Sequence, residues 1–259
     1  MNALLWLTIG LYGVSLLALG AAARQNREDV EGFSRFLLFA VFALHTLLLL
    51  IRVVKAGHAP MMGQYETLLF FGWSLALLNL VLILRYRFRE TEFLTVPVVM
   101  LALVFAGLSD ASVNPVPLIL KTWWFETHVV TSFFAYALFS LAAAAGTISL
   151  YRLRGTGQAS FGLLQDVTNR AMLWGFAWFS LSMVLGGIWA YLAWGAYWLW
   201  EPKSTASLLL WFYFAGALHT RFTKAWRGRP AAVLAIIGFG FMLFTYLGVS
   251  LFLDSTHRM

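Results

Sequence analysis

The sequence predicts an all-α, polytopic membrane bundle of about eight transmembrane helices with both termini extracytoplasmic. Composition is the first ground. Of 259 residues, 61% are hydrophobic and only 11% charged, against about 25% charged in soluble domains, and the mean hydropathy is +0.78. Recurrence is the second: apolar runs close to the ~20 residues that a bilayer demands follow one another along the chain. Charge distribution is the third. The net charge of +7 is split unevenly between alternate loops, which in such a chain reports orientation and gives no reason to expect nucleic acid as a partner.

The runs place spans at about 3–23, 36–54, 67–84, 93–108, 127–151, 171–193, 205–220 and 231–252. The fourth is short and contains Pro97. The first has no basic residue before it, so the small residues Gly20 to Ala23 are not read as a signal-peptide cleavage site. One set of loops carries Arg24, Arg27, Arg35, Arg85, Arg87, Arg89, Arg152, Arg154, Arg170, Arg221, Lys224, Arg227 and Arg229, thirteen cations, while the other carries five: Arg52, Lys55, Lys121, Lys203 and Arg258. The positive-inside rule puts the thirteen in the cytoplasm, and eight spans satisfy the parity. The stretch Arg152 to Arg170 reads as the longest polar linker. No internal repeat or low-complexity tract interrupts residues 1–259, which are expected to form one integral-membrane domain.

The chain has no cysteine, so disulfides, Cys-ligated zinc, iron–sulfur clusters and thiol nucleophiles are excluded and any sulfur chemistry belongs to a partner. Five histidines remain. His45 falls mid-span, where an imidazole finds no water and must face a partner, a cavity or a cofactor. His219 lies at the cytoplasmic end of the seventh span. His128 opens the fifth span from outside, His257 follows the last, and His58 sits in an outer loop. Topology thus pairs His128 with His257 at the outer surface and His45 with His219 deeper toward the cytoplasmic side. Imidazole pairs without a carboxylate or cysteine cluster suit haem iron better than zinc, which takes three or four ligands in a tetrahedron. The plainer reading is a histidine that bonds a neighbouring helix or carries a proton. A di-haem cytochrome b is rejected: His45 and His58 stand thirteen apart, but Gly57 and Pro60 place His58 beyond the helix, and no second pair has that separation.

Between Trp189 and Trp211 the chain holds five of its twelve tryptophans, adding Trp194, Trp198 and Trp200. Trp194 and Trp198, four apart, share a face if the segment is helical. An interfacial belt is the plainer reading of such tryptophans. A flat apolar platform with one wet end is also what a porphyrin face requires, and Arg52, Lys55 and Lys203 are cations near the outer face that either meet its propionates or stay solvated.

The run Trp194-Gly195-Ala196-Tyr197-Trp198-Leu199-Trp200-Glu201-Pro202-Lys203 resembles the tryptophan-rich WWD motif of haem-handling proteins. Downstream, Leu208-Leu209-Leu210-Trp211, Leu218-His219-Thr220-Arg221, Trp226-Arg227-Gly228-Arg229 and Gly238-Phe239 through Val249 resemble the C-terminal half of the CcsA (ResC) family. Upstream, Gly57-His58-Ala59-Pro60 and Tyr65-Glu66-Thr67-Leu68-Leu69-Phe70 resemble its outer-loop signature. The likeness covers about residues 45–257. Glu201 stands where the family usually has Asp, and Ser204 where an acidic residue is common.

The resemblance implies cytochrome c biogenesis of the system II kind. Haem b is carried across the membrane and presented outside for thioether attachment to a CxxCH apocytochrome c, as part of a cytochrome c synthase. His128 and His257 would be the axial ligands of the presented haem and His45 and His219 transmembrane ligands, with Trp194, Trp198, Trp200 and Glu201 in the haem-binding segment. Implied partners are a CcsB (ResB) membrane subunit, the apocytochrome and, indirectly, a thioredoxin-like reductant. The implied site is the cytoplasmic or a thylakoid-type membrane. Alternatives are a CcmC-like haem exporter without ligation activity, a haem-binding regulatory membrane protein and a proton-relaying transporter, the last leaving the tryptophans unexplained.

Overall fold

The computed structural model describes residues 2–25, 28–86, 89–113, 116–152, 159–226 and 228–252. Among these residues every regular element is helical. Helices cover all eight apolar runs. Six segments are long and apolar enough to cross a membrane: Asn2–Gln25, Glu28–Ala56, Gly63–Tyr86, Trp123–Arg152, Gly162–Trp194 and Arg229–Gly248. Glu92–Leu108 is apolar but shorter. The helices fall into two compact units, Met1–Pro115 and Val116–Met259.

The first unit contains α1 (Asn2–Gln25), α2 (Glu28–Ala56), α3 (Gly63–Tyr86) and α4 (Glu92–Leu108). In α1 the buried residues Leu5, Thr8, Ile9, Tyr12, Ser15, Leu19 and Ala22 form one stripe at helical spacing. Leu7, Val14 and Leu17 lie exposed on the rest of the surface. A helix that is apolar all round yet buries only one stripe is built to face lipid with the remainder. The stripe of α2 runs through Ser34, Leu38, Val41, His45, Leu48, Leu49 and Arg52. Pro97 leaves α4 unbroken, as membrane helices tolerate.

Two buried ion pairs fasten this unit. Arg52 Nε donates to Glu66 Oε1 at 2.6 Å, while its other nitrogens donate to the carbonyls of Ala111 and Ser112. Glu66 Oε2 accepts the Met62 N–H at 2.8 Å and stands 3.8 Å from His58 Nδ1. Arg52 is thus committed within its own unit. In the same loop Ser112 donates from its backbone N–H and its hydroxyl to Asp110, holding that carboxyl below the usual range. The second pair is Arg89 with Glu92, bonded through Nε and Nη2, with Nη1 on the Glu31 carbonyl.

The second unit contains a 3-10 turn (Leu118–Leu120), α5 (Trp123–Arg152), α6 (Ala159–Trp194), α7 (Pro202–Thr220), a 3-10 turn (Lys224–Trp226), α8 (Arg229–Leu243), a π-helical segment (Phe244–Gly248) and α9 (Val249–Phe252). Helix α6 begins at Ala159, inside the stretch read from sequence as linker, of which residues 153–158 are not described. Close approach of helices rests on small residues. The backbone carbonyl of Ala232 lies only 3.1 Å from where a Cβ on Gly146 would stand. Phe139 and Phe214 stack at 3.6 Å, and Gly175 and Gly238 make room for them, since a Cβ at either would meet those rings at 2.6 Å. Interhelical bonds from Trp211 Nε1 to Ser180 Oγ and from Tyr213 Oη to the Leu234 carbonyl add direction.

Candidate functional site

A cavity of about 700 Å³, counting its open mouth, lies in the second unit. One wall is the facing surfaces of α5 and α6, with His128, Ser132, Tyr136, Ser182 and Gly186. The other is the aromatic end of α6, with Trp189 and Trp194, the segment after it, with Tyr197 and Trp198, and the first turn of α7, with Lys203 and Ser204. Mostly aromatic walls with a few polar groups are the usual make-up of organic-ligand sites.

The aromatic wall follows from the sequence. Gly195 takes φ 73°, a left-handed conformation that glycine adopts freely, and its N–H returns to the Tyr191 carbonyl at 2.8 Å, which ends α6. Residues 196–200 are irregular, and Pro202 starts α7 at its first position. Trp194 and Trp198 therefore do not share a helical face. Both nonetheless line the cavity, because the turn folds the chain back. Trp189 anchors the wall: its indole donates to the Ile119 carbonyl at 3.0 Å and contacts Phe125 and Trp194 at 5.1 and 4.8 Å. Tyr197 stacks on Tyr191 at 4.5 Å. Trp200 is 79% exposed and meets Trp198 edge to face. Glu201 stands at the N-terminus of α7 and accepts from the Ser204 hydroxyl at 3.3 Å.

His128 is the imidazole of this site. Its Nδ1 lies 2.8 Å from the Ser182 carbonyl. A carbonyl only accepts, so in the neutral ring Nδ1 carries the proton and the lone pair is on Nε2. Metal-binding histidines are commonly held this way, by a carbonyl on the far nitrogen. The donor set fits an iron porphyrin: one oriented imidazole, an indole wall and a nearby ammonium. Among the described residues no three His, Asp or Glu side chains converge as a metal cluster.

Of the other predicted residues, His45, His219, Trp200 and Glu201 are not among the described residues that line this cavity. His257 falls outside the described residues. His45 is fully buried within the first unit, with Nδ1 3.3 Å from the Tyr12 hydroxyl and Nε2 3.2 Å from the Leu69 carbonyl. The same logic puts its proton on Nε2, opposite to His128. His219 is exposed in the last turn of α7, with Nδ1 against the Ala215 carbonyl at 3.1 Å. Of the residues proposed from sequence, the structure brings together His128, Trp194 and Trp198. Sequence reasoning missed Ser132, Ser182, Gly186 and Tyr136. The available signal was helical spacing: Ser132 is four residues after His128 and Gly186 four after Ser182, so each pair shares a helix face.

Comparison with known proteins adds a second line. Residues 61–257 match the family described as Cytochrome C assembly protein. The chain is 32% identical over 223 residues to the cytochrome c biogenesis protein CcsA of Chlamydomonas reinhardtii, covering 81% of this chain and 63% of that protein. It is 30% identical over 244 residues to CcsA of Mesostigma viride, covering 81% and 80%. Among solved structures, Cytochrome c Heme Lyase CcmF shares the fold with a TM-score of 0.72 at 19% identity, over 98% of this chain and 46% of that one. The chain thus spans somewhat under two thirds of the Chlamydomonas reinhardtii protein and under half of CcmF.

Proposed function

Because this chain belongs to the cytochrome c assembly protein family, in its CcsA group, we propose that it binds haem b in the cavity of the second unit and presents it for covalent attachment to an apocytochrome c. The observation that carries the reading is the His128 imidazole, pinned through Nδ1 to the Ser182 carbonyl in a cavity walled by Trp189, Trp194 and Trp198. Haem is the substrate and cargo. It supplies the two vinyl groups to which the thiols of a CxxCH segment add, each S–H crossing a double bond with no atom lost. A cysteine-free chain needs only to bind, orient and shield.

In this proposal His128 and His257 hold the iron from its two faces, which keeps it six-coordinate and low-spin while the thioethers form. The indoles of Trp194 and Trp198 cover the porphyrin, Lys203 meets a propionate, and Trp200 and Glu201 shape the mouth. His45 and His219 receive haem on its way from the cytoplasmic side. For His45 this requires Nε2 to leave the Leu69 carbonyl. Eight spans place both termini and the tryptophan segment outside, and residues 1–259 act as one haem-handling domain with a CcsB-type subunit, a thioredoxin-like protein keeping the client thiols reduced.

The test is co-expression with a CcsB-type partner and a CxxCH reporter. The proposal expects covalent haem on the reporter, and its loss with His128→Ala. A haem-loaded complex whose reporter stays unmodified would favour a haem exporter or a regulatory haem protein.

A further inference from the structure

From the contacts around His128, and resting on the haem reading above, we infer that the paired hydroxyls of Ser132 and Ser182 are positioning groups that set how strongly His128 holds the iron. Ser132 Oγ donates to the His128 carbonyl at 2.8 Å, the i−4 bond common for serine in membrane helices. Ser182 Oγ lies 3.3 Å from the same carbonyl, so in the 2.5 Å contact between the two hydroxyls either one can donate while the other bonds the carbonyl. In either arrangement a lone pair of Ser182 Oγ is left to face His128 Nδ1, 3.2 Å away. One N–H thus meets two acceptors on one residue, the Ser182 carbonyl at 2.8 Å and its hydroxyl.

Ser182 does not follow its neighbours. Ser74, Ser140 and Ser180 each donate to the carbonyl four residues earlier in their own helix. Ser182, 1% exposed, is turned to α5 instead, and Ser132 is 8% exposed. Two hydroxyls buried between apolar helices are costly unless bonded, and here they bond each other and the ligand residue. Acceptors on the far nitrogen raise the donor strength of the near one and fix the ring's rotation. A ligand that must hold iron during transfer and let go afterwards needs that strength set.

The experiment uses the full-length protein with its haem, titrating the ferric form with cyanide and measuring the reduction potential. In Ser182→Ala, cyanide displaces the axial imidazole at about one tenth of the wild-type concentration, in line with the 10–100-fold effects of removing such partners, and the potential rises. Ser182→Thr, which keeps the hydroxyl, behaves as wild type. Ser132→Ala, which leaves the direct contact and removes only the group that orients Ser182 Oγ, shifts both readings in the same direction by less. Wild-type cyanide and potential readings in both alanine variants, with a His128→Ala protein that has lost its low-spin spectrum, would overturn the role of the hydroxyls alone. An unchanged spectrum in His128→Ala would overturn the haem reading and this inference together.

Discussion

The ring of His128 lies so close to Gly186 that a methyl group there would stand 2.6 Å from Nδ1 and 2.7 Å from Cε1. The glycine sits one turn beyond Ser182, whose carbonyl takes the Nδ1 proton, so one turn of α6 supplies both the floor and the latch for the imidazole. Gly186→Ala should therefore push the ring off its carbonyl and reduce haem retention several-fold. Gly216→Ala, where a Cβ has no neighbour within 4 Å, should retain wild-type haem. The haem-to-protein ratio after purification is the measure.

The Arg52–Glu66 pair should dominate the stability of the first unit. Both side chains are almost fully buried, at 3% and 1% exposure. Glu66→Gln leaves the Arg52 charge without its counter-ion, a loss of about 3–5 kcal/mol for breaking such a pair. Replacing both partners, Arg52→Met with Glu66→Leu, should cost less than either single change. Unfolding in detergent with added denaturant gives the ordering.

Stacking of Phe139 on Phe214 depends on two glycines, one on α6 and one on α8. Gly175→Ala and Gly238→Ala each force a methyl group to within 2.6 Å of a ring carbon. Each should destabilise the second unit by about 1–3 kcal/mol, the usual range for overpacking. A lowered unfolding midpoint in both, beside an unchanged Gly216→Ala, is the expected result.

The absence of cysteine makes orientation directly measurable. With Ala196→Cys and Ala225→Cys in separate proteins, an impermeant maleimide added to intact cells should label the first and spare the second. The reverse pattern would invert the topology read from the thirteen and five cations.

Much of the helical framework was legible in the sequence because a bilayer leaves few options: the eight apolar runs are all helical, and six of the helices are long and apolar enough to cross a membrane. The boundaries were less so. α6 reaches back to Ala159, since the polar residues there sit on a helix rather than in a linker. The aromatic wall was legible in composition but not in shape. Trp194 and Trp198 would share a face only if the segment were helical, and Gly195 at φ 73° ends the helix between them. Tertiary partners were not legible at all. Nothing in the local sequence couples Tyr12 to His45 across 33 residues, or Ser182 to His128 across 54. Such bonds depend on which helices pack together.

The most direct test of the central claim, that His128 ligates haem in the cavity of the second unit, is the optical spectrum of the detergent-solubilised protein with and without reductant, compared between wild type and His128→Ala. Wild type should give a low-spin b-type spectrum that sharpens on reduction, and the variant a shift to high-spin or a loss of haem. Wild-type protein purified without haem, or a variant with the wild-type spectrum, would contradict it.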